Sequence, residues 1–194
     1  MATLWKKAVG RPAEVATPAG LTLPSSRLLG ELLRALSKKA ALGERPRVLL
    51  LGPPSGQTIE TFHGAGCRVT VLGDEIGSAP TGAPPDSFDL VLAFDALDLL
   101  PDRQARVLAA EWVRVIRPGG GLYLLARQDR TTFRTPWRVD VLPEGALRMA
   151  PLEGRQVDLH PRQNREIEDL VRPCVARDIH LRRDGVREIL CRKP

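Results

Sequence analysis

At 194 residues, 43% hydrophobic and 27% charged, the chain has the size and composition of one globular unit that buries its own core without disulfide or metal staples. Cys67, Cys174 and Cys191 are odd in number and lack C-x-x-C spacing, which argues against a disulfide framework or a zinc site and for a reducing, cytoplasmic setting. No apolar run approaches the ~20 residues needed to span a bilayer, the N-terminus has no secretory core, and the net charge of +6 is concentrated in a basic first quarter.

Residues 1–24 contain Pro12, Pro18, Pro24, Gly10 and Gly20 and read as a flexible basic arm, with Trp5 beside Lys6 and Lys7 as a candidate anchor on another surface. The remainder, 25–194, reads as a single domain. From a cap at Ser25 or Ser26, Leu28, Leu29, Leu32, Leu33, Leu36 and Ala40 recur at helical spacing until Gly43. That leucine stripe suits either the chain's own sheet or a partner's groove. Val48–Leu51 is a buried-type strand, followed by a glycine-proline turn and a helix from about Gln57. Arg68–Leu72 and Phe88–Phe94 are further strands, separated by a Gly/Pro-rich loop over 76–87. Pro101 to Arg117 reads as a helix with Val107, Leu108, Trp112, Val115 and Ile116 on or near its apolar face, closed by Pro118-Gly119-Gly120 before a strand at Leu122–Ala126. Residues 129–163 read as a long loop carrying Phe133, Trp137 and Met149, suited to a lid or a protein interface. A short helix over Arg165–Val171 and a hairpin around Arg183-Asp184-Gly185 complete the chain.

Strands alternating with helices through short loops predict an α/β three-layer sandwich with a mostly parallel, Rossmann-like sheet and an antiparallel terminal hairpin. Four segments in order resemble the class I S-adenosylmethionine-dependent methyltransferases over roughly residues 45–194. They are Val48-Leu49-Leu50-Leu51-Gly52-Pro53-Pro54-Ser55-Gly56, Pro85-Asp86-Ser87-Phe88-Asp89-Leu90-Val91-Leu92, Leu97 to Asp102, and Val113-Arg114-Val115-Ile116-Arg117-Pro118-Gly119-Gly120.

The resemblance implies a cofactor site at Gly52, Pro54 and Gly56, with Asp74 or Glu75 at the ribose, and a substrate-side base at Asp95 or Asp98. The departures from the family pattern fall on that site. Leu50 stands where the family has an acid that helps hold the methionine moiety, removing a charge-assisted hydrogen bond of ~1.5–3 kcal/mol. Pro54 replaces the middle glycine, and only about ten small residues bridge the region where the family inserts a helix, a strand and the adenine wall. The expectation is a degenerate S-adenosylmethionine site with no cofactor, in a non-catalytic interaction or assembly subunit. Its partner would dock through the arm, the helix at 25–42 or the loop at 129–163. An active methyltransferase with an atypical pocket, using S-adenosylmethionine, is the alternative.

A phosphate-binding loop is excluded because Gln57 occupies the lysine position and the spacing is one residue short. His63, His160 and His180 are scattered, so no metal is implied. Arg155, Arg162, Arg165, Arg172, Arg177, Arg182 and Arg183 leave a nucleic-acid-binding module as a further possibility, without aromatic reading residues to accompany them.

Overall fold

The strand–helix alternation is realised in the computed structural model, which describes residues 21–23, 26–53, 55–72, 81–128, 136–152, 154, 157–182 and 185–194. In chain order the elements are β1 (Leu21–Leu23), α1 (Arg27–Ala41), β2 (Arg47–Leu51), α2 (Gly56–Gly64), β3 (Arg68–Leu72), β4 (Phe88–Ala93), α3 (Asp102–Val115), β5 (Ile116–Arg127), β6 (Trp137–Val141), β7 (Leu147–Pro151), α4 (Asn164–Leu170), β8 (Val175–Leu181) and β9 (Val186–Arg192). Six strands form one sheet in the order β3-β2-β4-β5-β9-β8. The first four are parallel, and β9 runs antiparallel between β5 and β8.

Period-2 side-chain alternation divides the sheet's burial between two cores. Leu49, Leu51, Val91, Ala93, Leu122 and Leu124 face α3 and α4, packing on Leu108 and Trp112. Val48, Leu50, Leu90, Leu92, Tyr123 and Leu125 face α1 and α2. The leucine stripe of α1 is therefore spent on its own sheet, and Ser26 caps the helix by accepting from Leu29 N at 3.0 Å. Lys38 and Lys39 lie in its last turn, where cations complement the helix dipole. At the amino edge, Asp89 accepts from Arg47 N (2.9 Å) and pairs with Lys39 (3.2 Å) and Arg117 (2.5 Å).

Three expectations change. Val107 is 59% exposed, not on the apolar face of α3. Pro118-Gly119-Gly120 does not close a helix with a loop: α3 passes straight into β5, and these residues form a bulge, pairing Phe88 with Ile116 and then Leu90 with Gly121. Gly120 has a steric reason to be glycine, since a Cβ there would lie 2.7 Å from Arg117 O and 3.1 Å from Asp89 O. The largest change lies in 129–163. Phe133 is outside the described residues, but β6 and β7 pair antiparallel and, with β1, make a second sheet of order β1-β7-β6. Leu21–Leu23, read as the end of the arm, thus belongs to the folded body; residues 1–20, with Trp5, lie outside the described residues. Trp137 and Met149 are buried in the α1/α2-side core and do not offer an exposed lid. No helix among the described residues is long and apolar enough to cross a membrane.

Candidate functional site

In an open α/β sheet the chemistry sits at the carboxyl ends of the strands, here the segments after β2, β4 and β5. After β2, Gly52 adopts φ +98°, a left-handed conformation that favours glycine, and Gly56 opens α2; neither position has an atom within 4 Å of where a Cβ would stand. Leu50 is 1% exposed and contributes only an aliphatic side chain to the sheet interior. Pro54, Asp74 and Glu75 lie outside the described residues. Ser55 caps α2, its Oγ accepting from Thr58 N at 3.2 Å and donating to Asp140 Oδ1 at 2.6 Å.

That second bond comes from β6, which lies along the first turns of α2. Thr58 Oγ1 accepts from Val141 N (2.8 Å) and donates to Val139 O (3.3 Å), and Thr61 Oγ1 donates to Val141 O (2.8 Å). Asp140 is 5% exposed, and its other oxygen accepts from Arg148 Nε at 2.8 Å. A carboxylate of the chain itself thus engages the hydroxyl that caps α2, where helix N-termini favour negative charge. Asp140 had only the W-R-V-D-V alternation of β6 to reveal it, a period-2 signal between Pro136 and Pro143.

After β4, Asp95 and Asp98 are brought together but turned inward. Asp95 takes φ 26°, is 3% exposed, and accepts from Arg127 Nη2 at 2.9 Å and from Trp137 N at 3.4 Å. The Arg127 guanidinium, itself 1% exposed, stacks 4.0 Å from the Trp137 ring centroid. Burial pushes the Asp95 carboxyl above its ordinary value, and Arg127 pulls against that shift. Asp98 is fully buried; Oδ2 accepts from Arg127 N at 2.5 Å, while Oδ1 has no hydrogen-bond partner among the described residues. Burial, reinforced by the neighbouring Asp95 charge, pushes its pKa up to about 7. Its carbonyl also accepts from His160 N at 2.7 Å, so Asp98 fastens the end of β5 and the approach to α4 to one turn. Neither carboxylate stands beside open space as the sequence led one to expect of a substrate-side base.

Behind them Arg162 donates to Leu97 O and to Leu100 O (2.8 Å) and pairs with Asp102 (2.9 Å). Of the seven arginines read as a possible nucleic-acid patch, Arg155 and Arg183 lie outside the described residues. Arg162 is buried, Arg182 is paired with the buried Glu188, and Arg172 is paired with Asp169. Three of the five described arginines are thus engaged within the chain.

This arrangement of strands matches solved structures. An S-adenosylmethionine-dependent methyltransferase from Mesorhizobium loti superposes with a TM-score of 0.56 at 14% identity, over 84% of this chain and 96% of that one. A putative S-adenosylmethionine-dependent methyltransferase from Listeria monocytogenes gives 0.56 at 12% identity, over 87% and 100%. The fold is that of the class I methyltransferases. The N-methyltransferase NodS from Bradyrhizobium japonicum, solved with S-adenosyl-L-homocysteine, gives 0.51 at 16% identity, over 88% of each chain. No protein-family model and no curated protein matches the sequence. β3 is the outer strand of the sheet among the described residues, and none of them between β3 and β4 forms the helix and strand that the resemblance implies there.

Proposed function

We propose that this chain is a methyltransferase-fold protein that does not carry out methyl transfer and serves as an interaction or assembly subunit. The observation that carries this reading is that the chain's own residues occupy two places at the carboxyl edge: β6 lies on α2 through Asp140, and Arg127 with Trp137 seals Asp95. A methyl donor needs polar groups that face it. Leu50 has none, the cap of α2 is bonded to Asp140, and Asp95 and Asp98 are 3% and 0% exposed. On this reading no catalytic step is assigned to Asp95 or Asp98; their work is to hold β4, β5 and β6 together.

The opposing reading, an active methyltransferase with an atypical pocket, is favoured by one observation, the open space at Gly52 and Gly56. Calorimetric titration with S-adenosylmethionine and with S-adenosylhomocysteine separates the two. Absence of heat up to millimolar ligand is expected, and micromolar affinity for either compound would overturn the proposal. The assembly role is tested by purification of the full chain and of a variant lacking residues 1–20. A stoichiometric partner should be retained only by the full chain; a chain that purifies alone under both conditions removes the assembly half of the reading.

A further inference from the structure

A cleft of ≈ 820 Å³ lies at the carboxyl edge beneath α4, away from the β2–α2 turn, within the size range of small-molecule sites. Arg162, Arg165 and Arg187 line it together with Gln163 and the apolar side chains of Ile179 and Leu181, and none of its described lining residues is acidic. Ile179 and Leu181 are 37% and 60% exposed because α4, only seven residues long, stops short of covering the outer strand β8. Exposed apolar side chains beside a wall of cations are what an amphipathic anion needs.

Arg187 makes the cleft more than a basic surface. It is 9% exposed, and its guanidinium is fixed by Asn164 Oδ1 (2.5 Å), Arg127 O (2.8 Å) and Arg162 O. All three partners are neutral acceptors; among the described residues Arg187 makes no ion pair. The acid whose charge reaches it is Asp98, which lies beyond ion-pair distance and is itself driven toward its neutral form. Arg162, the adjoining cation, has its acid on the far side, at the exposed Asp102. Removing a cation from water without a partner is costly, so a fixed, largely buried guanidinium at the edge of an open cleft is a site for an outside anion.

We propose that this cleft binds an amphipathic anion, a phosphate or carboxylate headgroup held by Arg187 and Arg165 with its hydrocarbon portion on Ile179 and Leu181. The site is independent of the donor pocket and stands whether or not the protein transfers methyl groups. The exposed Arg165 can offer paired N–H donors to phosphate and carboxylate alike, while Arg187, with Nη2 on two carbonyls and Nε buried, contributes its charge, so the headgroup chemistry is shared between the two.

The test is titration of the full chain with n-octyl phosphate, octanoate, inorganic phosphate and 1-octanol, each below its micelle or solubility limit, read by calorimetry and by thermal shift. Octyl phosphate or octanoate should bind at least about tenfold more tightly than inorganic phosphate or 1-octanol, and the ratio between the first two identifies the headgroup. Arg165→Gln and Leu181→Asp alter exposed side chains and should leave the unliganded melting temperature unchanged while each weakens binding by about tenfold. Binding by either variant as tight as that of the unsubstituted chain, no binding by either amphiphile, or inorganic phosphate matching octyl phosphate would each overturn the proposal.

Discussion

Replacing Asp95 by Asn asks whether this carboxylate is structural or waits for a substrate. Asn tolerates the left-handed backbone that Asp95 adopts at φ 26°, so the substitution removes charge with little added strain. The side chains of Asp95 and Arg127 are 4% and 1% exposed, so little water can replace the carboxylate that Arg127 would lose. Breaking such a pair from one side costs ~3–5 kcal/mol. That is a large share of the ~5–15 kcal/mol by which domains are stable, and corresponds to a melting temperature lower by roughly 10 °C for a chain of this size. Urea unfolding followed by tryptophan fluorescence measures it, with the buried Trp112 and Trp137 as reporters. Two controls sharpen the result. Glu31→Gln, in the exposed α1 pair with Arg27, should cost less than about 0.5 kcal/mol. The double substitution Asp95→Asn with Arg127→Met should recover at least half of the loss, because removing both charges leaves nothing unpaired. A loss below about 0.5 kcal/mol for Asp95→Asn alone would refute the reasoning, since water would then reach the pair and a substrate could as well.

Asp98 should make stability fall as pH rises. Its folded pKa of about 7 lies above the ordinary 3.8, so the folded state binds the extra proton between those values; the contribution is whole below pH 4 and is lost by about pH 7. Chemical denaturation at pH 5 and pH 8 should show this decline, and Asp98→Asn should flatten it. Gly145→Ala should destabilise by about 2 kcal/mol or more in the same assay, because Gly145 has φ +84° and a Cβ would fall 2.4 Å from Gly30 N on α1. Cys67 and Cys191 are buried, and burial pushes their thiols up to about 11 and about 12, so both should react with a disulfide reagent only on unfolding; rapid labelling of the native protein would contradict their placement.

Much of the frame could be read from local signals. The leucine periodicity, with Ser25 or Ser26 as cap, placed α1; the apolar runs placed β2 and β4; and the Arg183-Asp184-Gly185 signal placed the β8–β9 hairpin. What stayed hidden depends on partners distant in the chain. Asp95 looked like a free carboxylate at a strand end because Arg127 and Trp137, which enclose it, lie 32 and 42 residues further on. The β6–β7 pair was hidden differently: Pro136, Pro143 and Pro151 bound strands of only five residues, and proline clusters weigh toward loop even where the intervening side chains alternate. Arg187 gave no signal at all, since one arginine in a hairpin is indistinguishable from a solvated one until α4 and the end of β5 are folded over it.

The position of β9 bears on how the molecule is made. It is the last strand in the chain, yet it sits inside the sheet between β5 and β8, pairing along seven residues of β5 from Gly121 to Arg127. On the ribosome, β5 therefore emerges long before its neighbour is synthesised, and its hydrogen-bonding edge stays bare until β9 leaves the exit tunnel. A nascent chain stalled before β9 would expose that edge to other polypeptides, making the docking of this seven-residue strand the step that protects it.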